Sequence, residues 1–318
     1  MGLLTFSGGI HPYEGKDLTK DKPVREYLPK GECVYPLSQH IGAPAVPIVK
    51  RGDRVLVGQK IAEAGGIVSA YIHSSISGTV KMIEPRMTNG GNKVNSIVIE
   101  NDGLFETIDF SENVRDLSTL YREDIKDMIK EAGIVGMGGA GFPSHVKLSP
   151  KNEDDIEYII VNGAECEPYL TSDYRRMLEE TEKLILGLQI CVNLFDKAKG
   201  IIAIEDNKPE AIAKISEHLA DNDKIEVKVL KTKYPQGAER QLIYATTGRY
   251  VNSKMLPADA GCIVHNTDTI VSIYEAVIEG KPLYTRIVTV TGDAIVNPCN
   301  LLVHNGTSCR EIIEAAGG

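Results

Sequence analysis

Residues 157–162 read EYIIVN, a short apolar run rich in β-branched residues that ends in an amide. Helical and extended patterns alternate after it. Apolar helical faces span 175–195 and 208–220, and extended runs span 200–206 and 224–231. Strands that alternate with helices favour a parallel sheet covered by helices. The stretch at 157–162 therefore predicts an α/β fold.

The same alternation continues on both sides of this stretch. YREDIKDMIKEAG (121–133) has one apolar helical face, and GCIVHN (261–266) is a strand pattern followed by a helix over 267–280. Together these patterns account for most of the chain's middle part. We predict a central α/β domain, with a mostly parallel helix-covered sheet, over residues 118–282.

The first hundred residues carry a different pattern. Residues 44–84 contain short β-type runs divided by Gly-Asp and Ser-Gly turns, and a polar connector follows over 101–117. We predict a small all-β module over residues 1–105. Residues 283–318 hold two short strand patterns and the start of a helix, which is too little for an independent core. We therefore expect the sequence to be a fragment of a longer protein.

Composition excludes several classes of protein. The 318 residues are 42% hydrophobic and 25% charged, which is ordinary for a globular protein of about two domains. The net charge of −9 argues against a nucleic-acid binder. No apolar run approaches the roughly 18 residues of a membrane span, and the first residues show neither a signal-peptide pattern nor a lipidation motif.

Residue types that bind metals are scattered along the chain. The six cysteines form no CxxC pair, which argues against a local zinc or iron–sulfur motif and favours buried thiols in a reducing compartment. The seven histidines show no HxxxH spacing. We predict no metal site in this chain.

GIVGMGGAGFPSHVK (133–147) concentrates five glycines in one stretch. A GxGxxG pattern begins at Gly136, but a helix over 121–133 precedes it and the next predicted strand begins only at residue 157, so it is not a Rossmann fingerprint. Backbone without Cβ atoms can lie against a planar or phosphorylated ligand. Lys147 offers a positive charge and Phe142 an aromatic face for such a ligand. The alternative is a glycine-rich turn beside a core phenylalanine.

Four ordered segments resemble the NADH-oxidising, FMN-bearing subunit of respiratory complex I. GMGGAGFPSHVK (136–147) resembles its flavin loop, and VNGAECEP (161–168) resembles its Asn-x-x-Glu-x-Glu-Pro segment. YPQGAERQLI (234–243) resembles its Tyr-x-x-Gly-x-Glu segment, and VHNTDT (264–269) resembles its Asn-bearing turn before a helix. GGIHPYEGKDLTKDKPV (8–24) also resembles the opening of the C subunit of the Rnf electron-transport complex. This second resemblance covers essentially the whole chain.

The resemblance also implies the flanking folds. The sequence pattern of residues 44–84 is similar to that of the barrel-sandwich hybrid of biotinyl and lipoyl carriers. Those carriers present a modifiable lysine, but AEAGGIVSAYIH (62–73) contains none. The absence of that lysine favours a docking or scaffolding role over a swinging arm. Residues 283–318 are expected to begin a soluble-ligand-binding β-grasp unit. The Rnf protein of this type extends into a segment with two [4Fe–4S] clusters, which this chain does not contain.

Site residues follow from the resemblance position by position. It implies that FMN is bound by Gly136, Gly138, Gly139, Gly141, Lys147, Asn162, Tyr234, Gly237, Asn266 and Thr267, that NADH is bound by Phe142, Glu167 and Glu239, and that Glu165 is a further cofactor-binding residue. Asn266 and Thr267 are also typical of a helix N-cap, which is itself an anion site. The complex I protein usually carries acidic residues where this chain has Ala164 and Ala238, so the mode of NADH binding is expected to differ.

The implied function is a flavin electron gate that needs no catalytic side chain. NADH passes hydride to FMN, and reduced FMN gives electrons singly to iron–sulfur clusters outside this chain, in an ion-translocating NADH:ferredoxin oxidoreductase complex. The chain would be peripheral, at the cytoplasmic face of the membrane, with the other subunits as partners and ferredoxin as an indirect one. Two alternatives share parts of the pattern: a cobalamin reductase-like flavoprotein, and a cofactor-free docking scaffold of a redox complex.

Overall fold

A computed structural model describes residues 3–88 and 90–318. The strands in these ranges are β1 (Val24–Tyr27), β2 (Cys33–Pro36), β3 (Val46–Pro47), β4 (Arg54–Val55), β5 (Lys60–Glu63), β6 (Ile72–His73), β7 (Gly78–Met87), β8 (Lys93–Asn101), β9 (Tyr158–Gly163), β10 (Lys199–Glu205), β11 (Ile225–Leu230), β12 (Cys262–Asn266), β13 (Thr285–Val290) and β14 (Cys299–His304). The helices are α1 (Arg122–Glu131), α2 (Ser144–Lys147), α3 (Ser172–Glu179), α4 (Thr181–Val192), α5 (Pro209–His218), α6 (Glu239–Thr247), α7 (Thr267–Ile278) and α8 (Cys309–Ala315).

The chain forms two compact units. The first combines residues 1–23, as far as they are described, with 148–274, and the second combines 24–147 with 275–318. The first unit contains the parallel sheet, and the second contains the all-β part. Each unit is therefore built from two separate stretches of sequence.

The first unit is an α/β layer built on a four-stranded parallel sheet of order β11-β10-β9-β12. Its strands are nearly continuous apolar runs, as expected for a sheet covered on both faces. Ile201 and Ala203 pack in one core cluster with Leu242 of α6, whereas Gly200 faces Leu188 of α4. Because successive residues of a strand point to opposite faces, α6 and α4 cover opposite faces. The predicted parallel, helix-covered sheet is confirmed.

The predicted long helix over 175–195 is wrong in its extent. The structure has two helices, α3 and α4, that meet at Glu180, where φ is −128° and ψ is 40°. These dihedral angles lie outside the helical region, so the backbone turns there. Arg176 and Glu180 form an ion pair across the turn, and the Thr181 hydroxyl donates to the Met177 carbonyl oxygen. The apolar face continues across the break, which is why the sequence pattern did not reveal it.

The second unit contains two antiparallel sheets, of order β2-β8-β7-β4 and β3-β5-β6. Alternate residues of these strands point inward and form one apolar core, which includes Tyr35, Ile61, Ile97 and Ile99. The predicted all-β module is thus a two-sheet sandwich.

A further three-stranded sheet in the second unit has the order β1-β14-β13, with β1 parallel and β13 antiparallel to β14. Ile312 of α8 packs with Leu301 and Val303 of β14 in a separate small core. The predicted start of a β-grasp unit in this region stays a prediction. In the described ranges, the structure contains no helix with the length and apolar character of a membrane span.

Candidate functional site

The carboxyl edge of the parallel sheet contains a topological switch point. The chain passes from β9 to β10 and β11 on one side and then returns to place β12 on the other side of β9. Neighbouring connections therefore diverge between β9 and β12, and ligands of open α/β sheets bind in the crevice at such a point. Asn162 and Asn266 are register partners at the ends of these two strands.

The Asn162 side chain is held by its neighbours at this edge. Its Nδ2 donates to the Gly237 carbonyl oxygen at 2.8 Å, and its Oδ1 accepts from the Ala164 amide at 3.3 Å. A Cβ atom on Gly237 would lie 3.2 Å from the Asn162 Oδ1, so the close approach favours glycine there. Thr267 Oγ1 donates to the Asn162 carbonyl oxygen at 3.2 Å. Three predicted site residues, Asn162, Gly237 and Thr267, therefore lie together.

Asn266 is the N-cap of α7. Its Oδ1 accepts from the Asp268 amide at 2.8 Å, which confirms the predicted cap. Its Nδ2 donates to Asp173 Oδ2, also at 2.8 Å, so the amide joins the first turns of α3 and α7. This helix start lies at the switch point, where the helix dipole would favour an anion.

Glu165 is buried, and its carboxylate serves the fold. Its Oε1 accepts from the Asp173 amide at 2.7 Å and from the Tyr174 amide at 3.4 Å, at the start of α3. Its Oε2 lies 3.7 Å from the Lys16 ammonium. Burial raises the pKa of this carboxyl group. Because the carboxylate fills the α3 N-terminus, no phosphate can bind there in the manner of a Rossmann pyrophosphate.

Glu167 and Tyr234 come from two different predicted segments and meet at the surface. The Tyr234 hydroxyl donates to Glu167 Oε1 at 3.2 Å, and the nearby carboxylate raises the pKa of Tyr234. Glu167 is exposed. Glu239 is the first residue of α6, where a carboxylate is favourable for the helix dipole. These groups could accept hydrogen bonds from the hydroxyls of a ligand.

Sequence reasoning missed a set of buried charges beneath these residues. Lys16 is 9% exposed, Lys208 and Glu205 are each 1% exposed, and Asp173 is half-buried. Burial raises the pKa of Glu205 to about 7, and burial together with Glu165 and Asp268 raises the pKa of Asp173 to about 8. Burial lowers the pKa of Lys208. A lysine is usually exposed, so composition alone could not mark these two as buried.

The glycine stretch forms a closed loop in the second unit. Val135 and Pro143 form an antiparallel bridge, and the Gly136 amide donates to the Phe142 carbonyl oxygen at 2.9 Å. Gly138 and Gly139 lie at the loop tip, where a Cβ atom on Gly139 would meet nothing within 4 Å. The loop tip therefore presents bare backbone, as binding against a flat ligand requires.

The base of the loop is tightly packed. Gly141 has a φ of +68°, and a Cβ atom there would lie 3.1 Å from the His40 Cα, so glycine is favoured on both grounds. Phe142 keeps 37% of its surface exposed, and Lys147 is half-buried at the end of the short α2. The Arg286 guanidinium donates to the Met137 carbonyl oxygen at 3.1 Å, which places a cation at the loop that sequence reasoning missed.

Two known protein families match consecutive parts of this sequence. Residues 129–275 match the Nuo51 FMN-binding domain, and residues 4–104 match the RnfC barrel sandwich hybrid domain. The C subunit of the Na(+)-translocating ferredoxin:NAD(+) oxidoreductase complex of Acetobacterium woodii is 45% identical over 99% of this chain and 71% of its own length. The chain belongs to the RnfC family.

Further members of the RnfC family show the same relationship. The C subunit of the proton-translocating ferredoxin:NAD(+) oxidoreductase complex of Clostridium ljungdahlii is 45% identical over 99% of this chain and 69% of its own length. The C subunit of the ion-translocating oxidoreductase complex of Haemophilus influenzae is 40% identical over 99% of this chain and 48% of its own length. The predicted family is confirmed, and the relatives are longer than this chain.

A solved structure shares part of the fold. NAD+-reducing [NiFe]-hydrogenase in the air-oxidized state aligns over 62% of this chain and 39% of its own chain, with a TM-score of 0.54 and 21% identity. The H2-reduced state of such an enzyme gives a TM-score of 0.51. At this identity the likeness concerns the fold alone. Over residues 3–88 and 90–318, no group of three or more His, Cys, Asp or Glu side chains is placed to hold a metal ion.

Proposed function

We propose that this chain binds FMN and oxidises NADH as a subunit of an ion-translocating NADH:ferredoxin oxidoreductase complex. The observation that carries the proposal is the register of Asn162 and Asn266 at the switch point of the parallel sheet, within the stretch that matches an FMN-binding domain. An amide at this position offers both donor and acceptor atoms to the edge of an isoalloxazine ring.

The residues present fit this cofactor. The loop tip at Gly138 and Gly139 has no side chain that would block a flat ring. The start of α7 at Thr267 is a helix N-terminus, whose dipole suits the FMN phosphate. We assign FMN contacts to the ten residues predicted for it, which are Gly136, Gly138, Gly139, Gly141, Lys147, Asn162, Tyr234, Gly237, Asn266 and Thr267.

The NADH contacts are assigned to Phe142, Glu167 and Glu239, with Glu165 acting through the loop that it shapes. Phe142 would stack on the nucleotide, and the two glutamates would accept hydrogen bonds from ribose hydroxyls. When bound, FMN supplies the chemistry: it takes a hydride and releases electrons one at a time. The protein's part is to hold the two rings together and to shield them from water.

The remaining predictions stay proposals of the same kind. We propose domains of the sequence over 1–105, 118–282 and 283–318, the last being the start of a β-grasp unit; these continuous stretches differ from the two compact units, each of which combines two separate stretches. Electrons would leave FMN for [4Fe–4S] clusters outside this chain and then reach ferredoxin through other subunits. The protein would be bound at the cytoplasmic face of the membrane.

The test is cofactor binding by the purified chain. We expect the protein to take up one FMN with a shifted flavin absorbance spectrum, to bind NADH, and to reduce an artificial dye with NADH. Asn162→Leu should reduce FMN uptake at least tenfold while the far-UV circular dichroism stays unchanged. A colourless protein that refuses added FMN would contradict the proposal and support a cofactor-free docking scaffold instead.

A further inference from the structure

Two buried ammonium groups hold the backbone of the loop that follows β9. Lys16 Nζ donates to the carbonyl oxygens of Glu165 at 2.9 Å, Glu167 at 3.2 Å and Leu170 at 2.6 Å. Lys208 Nζ donates to the carbonyl oxygen of Ala164 at 2.6 Å. An ammonium has three donors, so Lys16 uses all of them on this loop (residues 164–170).

The 164–170 loop needs such an anchor because its backbone is strained. Glu165 has a φ of +50° and Tyr169 a φ of +67°, and both are residues for which the left-handed region is unfavourable. A conformation of this kind persists only where the surroundings determine it. Charge-assisted hydrogen bonds to carbonyl oxygens inside a buried site are among the stronger contacts that can do so.

Lys16 belongs to an N-terminal segment (residues 13–20) that lies along the loop. The Tyr169 amide donates to the Glu14 carbonyl oxygen at 2.7 Å, and the absent Cβ of Gly15 leaves room for the Tyr169 ring. The Thr171 hydroxyl donates to the Thr19 hydroxyl at 2.8 Å. The whole segment therefore supports the loop, and Lys16 is its central contact.

We propose that Lys16 is a positioning residue for NADH. Lys16 holds the 164–170 loop so that the Glu167 carboxylate faces the nucleotide. The inference rests on the proposed function, because Glu167 is assigned there to the NADH hydroxyls. Lys16 bonds the carbonyl oxygen of Glu167 itself, so the ammonium fixes the backbone from which that carboxylate projects. Lys16 does not touch substrate in this role.

The test uses Lys16→Met in the FMN-loaded chain, since methionine keeps the stem and removes the ammonium. We expect NADH binding, followed by fluorescence titration, to weaken at least tenfold while FMN content is unchanged. Amides of residues 164–171 should exchange hydrogen faster. In dye reduction the KM for NADH should rise with little change in kcat. Lys20→Met is the matched control, because Lys20 pairs with Asp17 at 2.6 Å and should leave all four readouts unchanged.

A double-mutant cycle with Glu167→Gln separates positioning from general stability. If Lys16 acts through Glu167, Lys16→Met should weaken NADH binding much less in the Glu167→Gln background than in the parent. The inference would be overturned if Lys16→Met has a lower melting temperature but binds NADH as tightly as the parent, while Glu167→Gln binds NADH more weakly. If Lys16→Met does not fold, Lys16→Arg keeps the charge but not the compact three-donor geometry. Parent-like NADH affinity with faster loop exchange in that variant would also overturn it.

Failure of the proposed function looks different in the same experiment. A parent protein that binds neither FMN nor NADH, or a Glu167→Gln variant with unchanged NADH affinity, contradicts the assignment of Glu167 before Lys16 is considered. The inference then falls with the proposed function. The parent and Glu167→Gln titrations therefore identify which of the two has failed.

Discussion

Asn162 and Asn266 are register partners at the carboxyl ends of the adjacent parallel strands β9 and β12. Each amide is already tied into the fold, Asn162 to the Gly237 carbonyl oxygen and Asn266 to the Asp173 carboxylate. The two amides at the switch point are thus held by contacts with residues distant in sequence. Changes to these contacts should affect cofactor binding more than they affect folding.

Gly139→Phe should abolish FMN retention without unfolding the chain. A Cβ atom at Gly139 meets nothing within 4 Å, and the backbone there is not in the left-handed region, so the fold can accept a side chain. A phenyl ring on the loop tip would occupy the space in which a flavin lies against bare backbone. The measurement is flavin absorbance after gel filtration, together with thermal melting, where we expect a change within about 0.5 kcal/mol.

Gly139→Ala is the control for this prediction, since one methyl group adds little bulk at an exposed tip. It should retain most of the bound FMN. A Gly139→Phe protein that elutes with as much flavin as the parent would show that the loop does not contact the cofactor.

The sequence predicted the buried strands, but it did not predict which charged side chains are buried. EYIIVN and GCIVHN are apolar enough to be assigned to buried strands without any tertiary information, and β9 and β12 confirm both. The helix break at Glu180 could not be predicted, because the apolar face runs on across it. The helix α6 was not predicted at all, since it begins at Glu239 within the YPQGAE motif and its nine residues are too few for a long periodic pattern.

The candidate site was predicted where the residues carry the motif, and missed where the fold alone creates the contact. Asn162, Gly237 and Thr267 were each assigned from separate segments, and the structure brings them together. Lys16 and Lys208 gave no such signal, because a lysine in a polar stretch is usually solvated. Their role becomes visible only when the carbonyl oxygens of a distant loop surround them.

Gly237→Ala should weaken FMN binding more than it weakens folding. The new Cβ would lie 3.2 Å from Asn162 Oδ1 and 3.4 Å from the Ala164 Cβ, so the Asn162 amide must shift by a few tenths of an ångström. We expect a loss of about tenfold in FMN affinity, equivalent to about 1.4 kcal/mol. The stability cost should be about 1 kcal/mol. Isothermal titration and urea unfolding measure the two effects, and a larger loss of stability than of binding free energy would contradict the prediction.

Asn266→Asp should make stability depend on pH. The aspartate can still cap α7 by accepting from the Asp268 amide, but it places a second carboxylate against Asp173, where the amide now donates at 2.8 Å. The pKa of Asp173 is raised to about 8, so below that pH its protonated carboxyl group can donate to the new carboxylate, and the two groups repel each other only once Asp173 ionises. We expect the variant to be destabilised by about 1–3 kcal/mol at pH 9 and by less at pH 6.

Asn266→Ser provides the control, because serine also caps a helix but brings no charge. Its loss of stability should change less between the two pH values than the loss for Asn266→Asp. Urea unfolding at pH 6 and pH 9 measures both losses, and an equal loss for Asn266→Asp at the two pH values would contradict a carboxylate pair.

Asp173→Asn should increase stability at alkaline pH and remove part of the pH dependence of folding. The pKa of Asp173 is raised from 3.8 to about 8, first by burial and then by Glu165 and Asp268. At a pH between 3.8 and about 8, the Asp173 side chain keeps its proton in the folded chain and releases it in the unfolded chain. The protonated carboxyl group therefore contributes fully to the free energy of unfolding below about pH 4, and this contribution is lost as the pH rises towards 8.

The variant has no proton to lose at this position, and the asparagine Oδ1 can still accept from Asn266 Nδ2. Relative to Asp173→Asn, the parent should lose up to about 1.4 kcal/mol of unfolding free energy per pH unit between pH 4 and pH 8. Urea unfolding of both proteins across this range measures the difference, and titrating groups that do not interact with Asp173 cancel in it. Asp223→Asn, at an exposed aspartate, controls for the loss of one negative charge. If the free energy of unfolding depends on pH in the same way for the parent and Asp173→Asn, then Asp173 is ionised in the folded chain throughout this range. The network of carboxyl and ammonium groups at the sheet edge would then be charged at neutral pH.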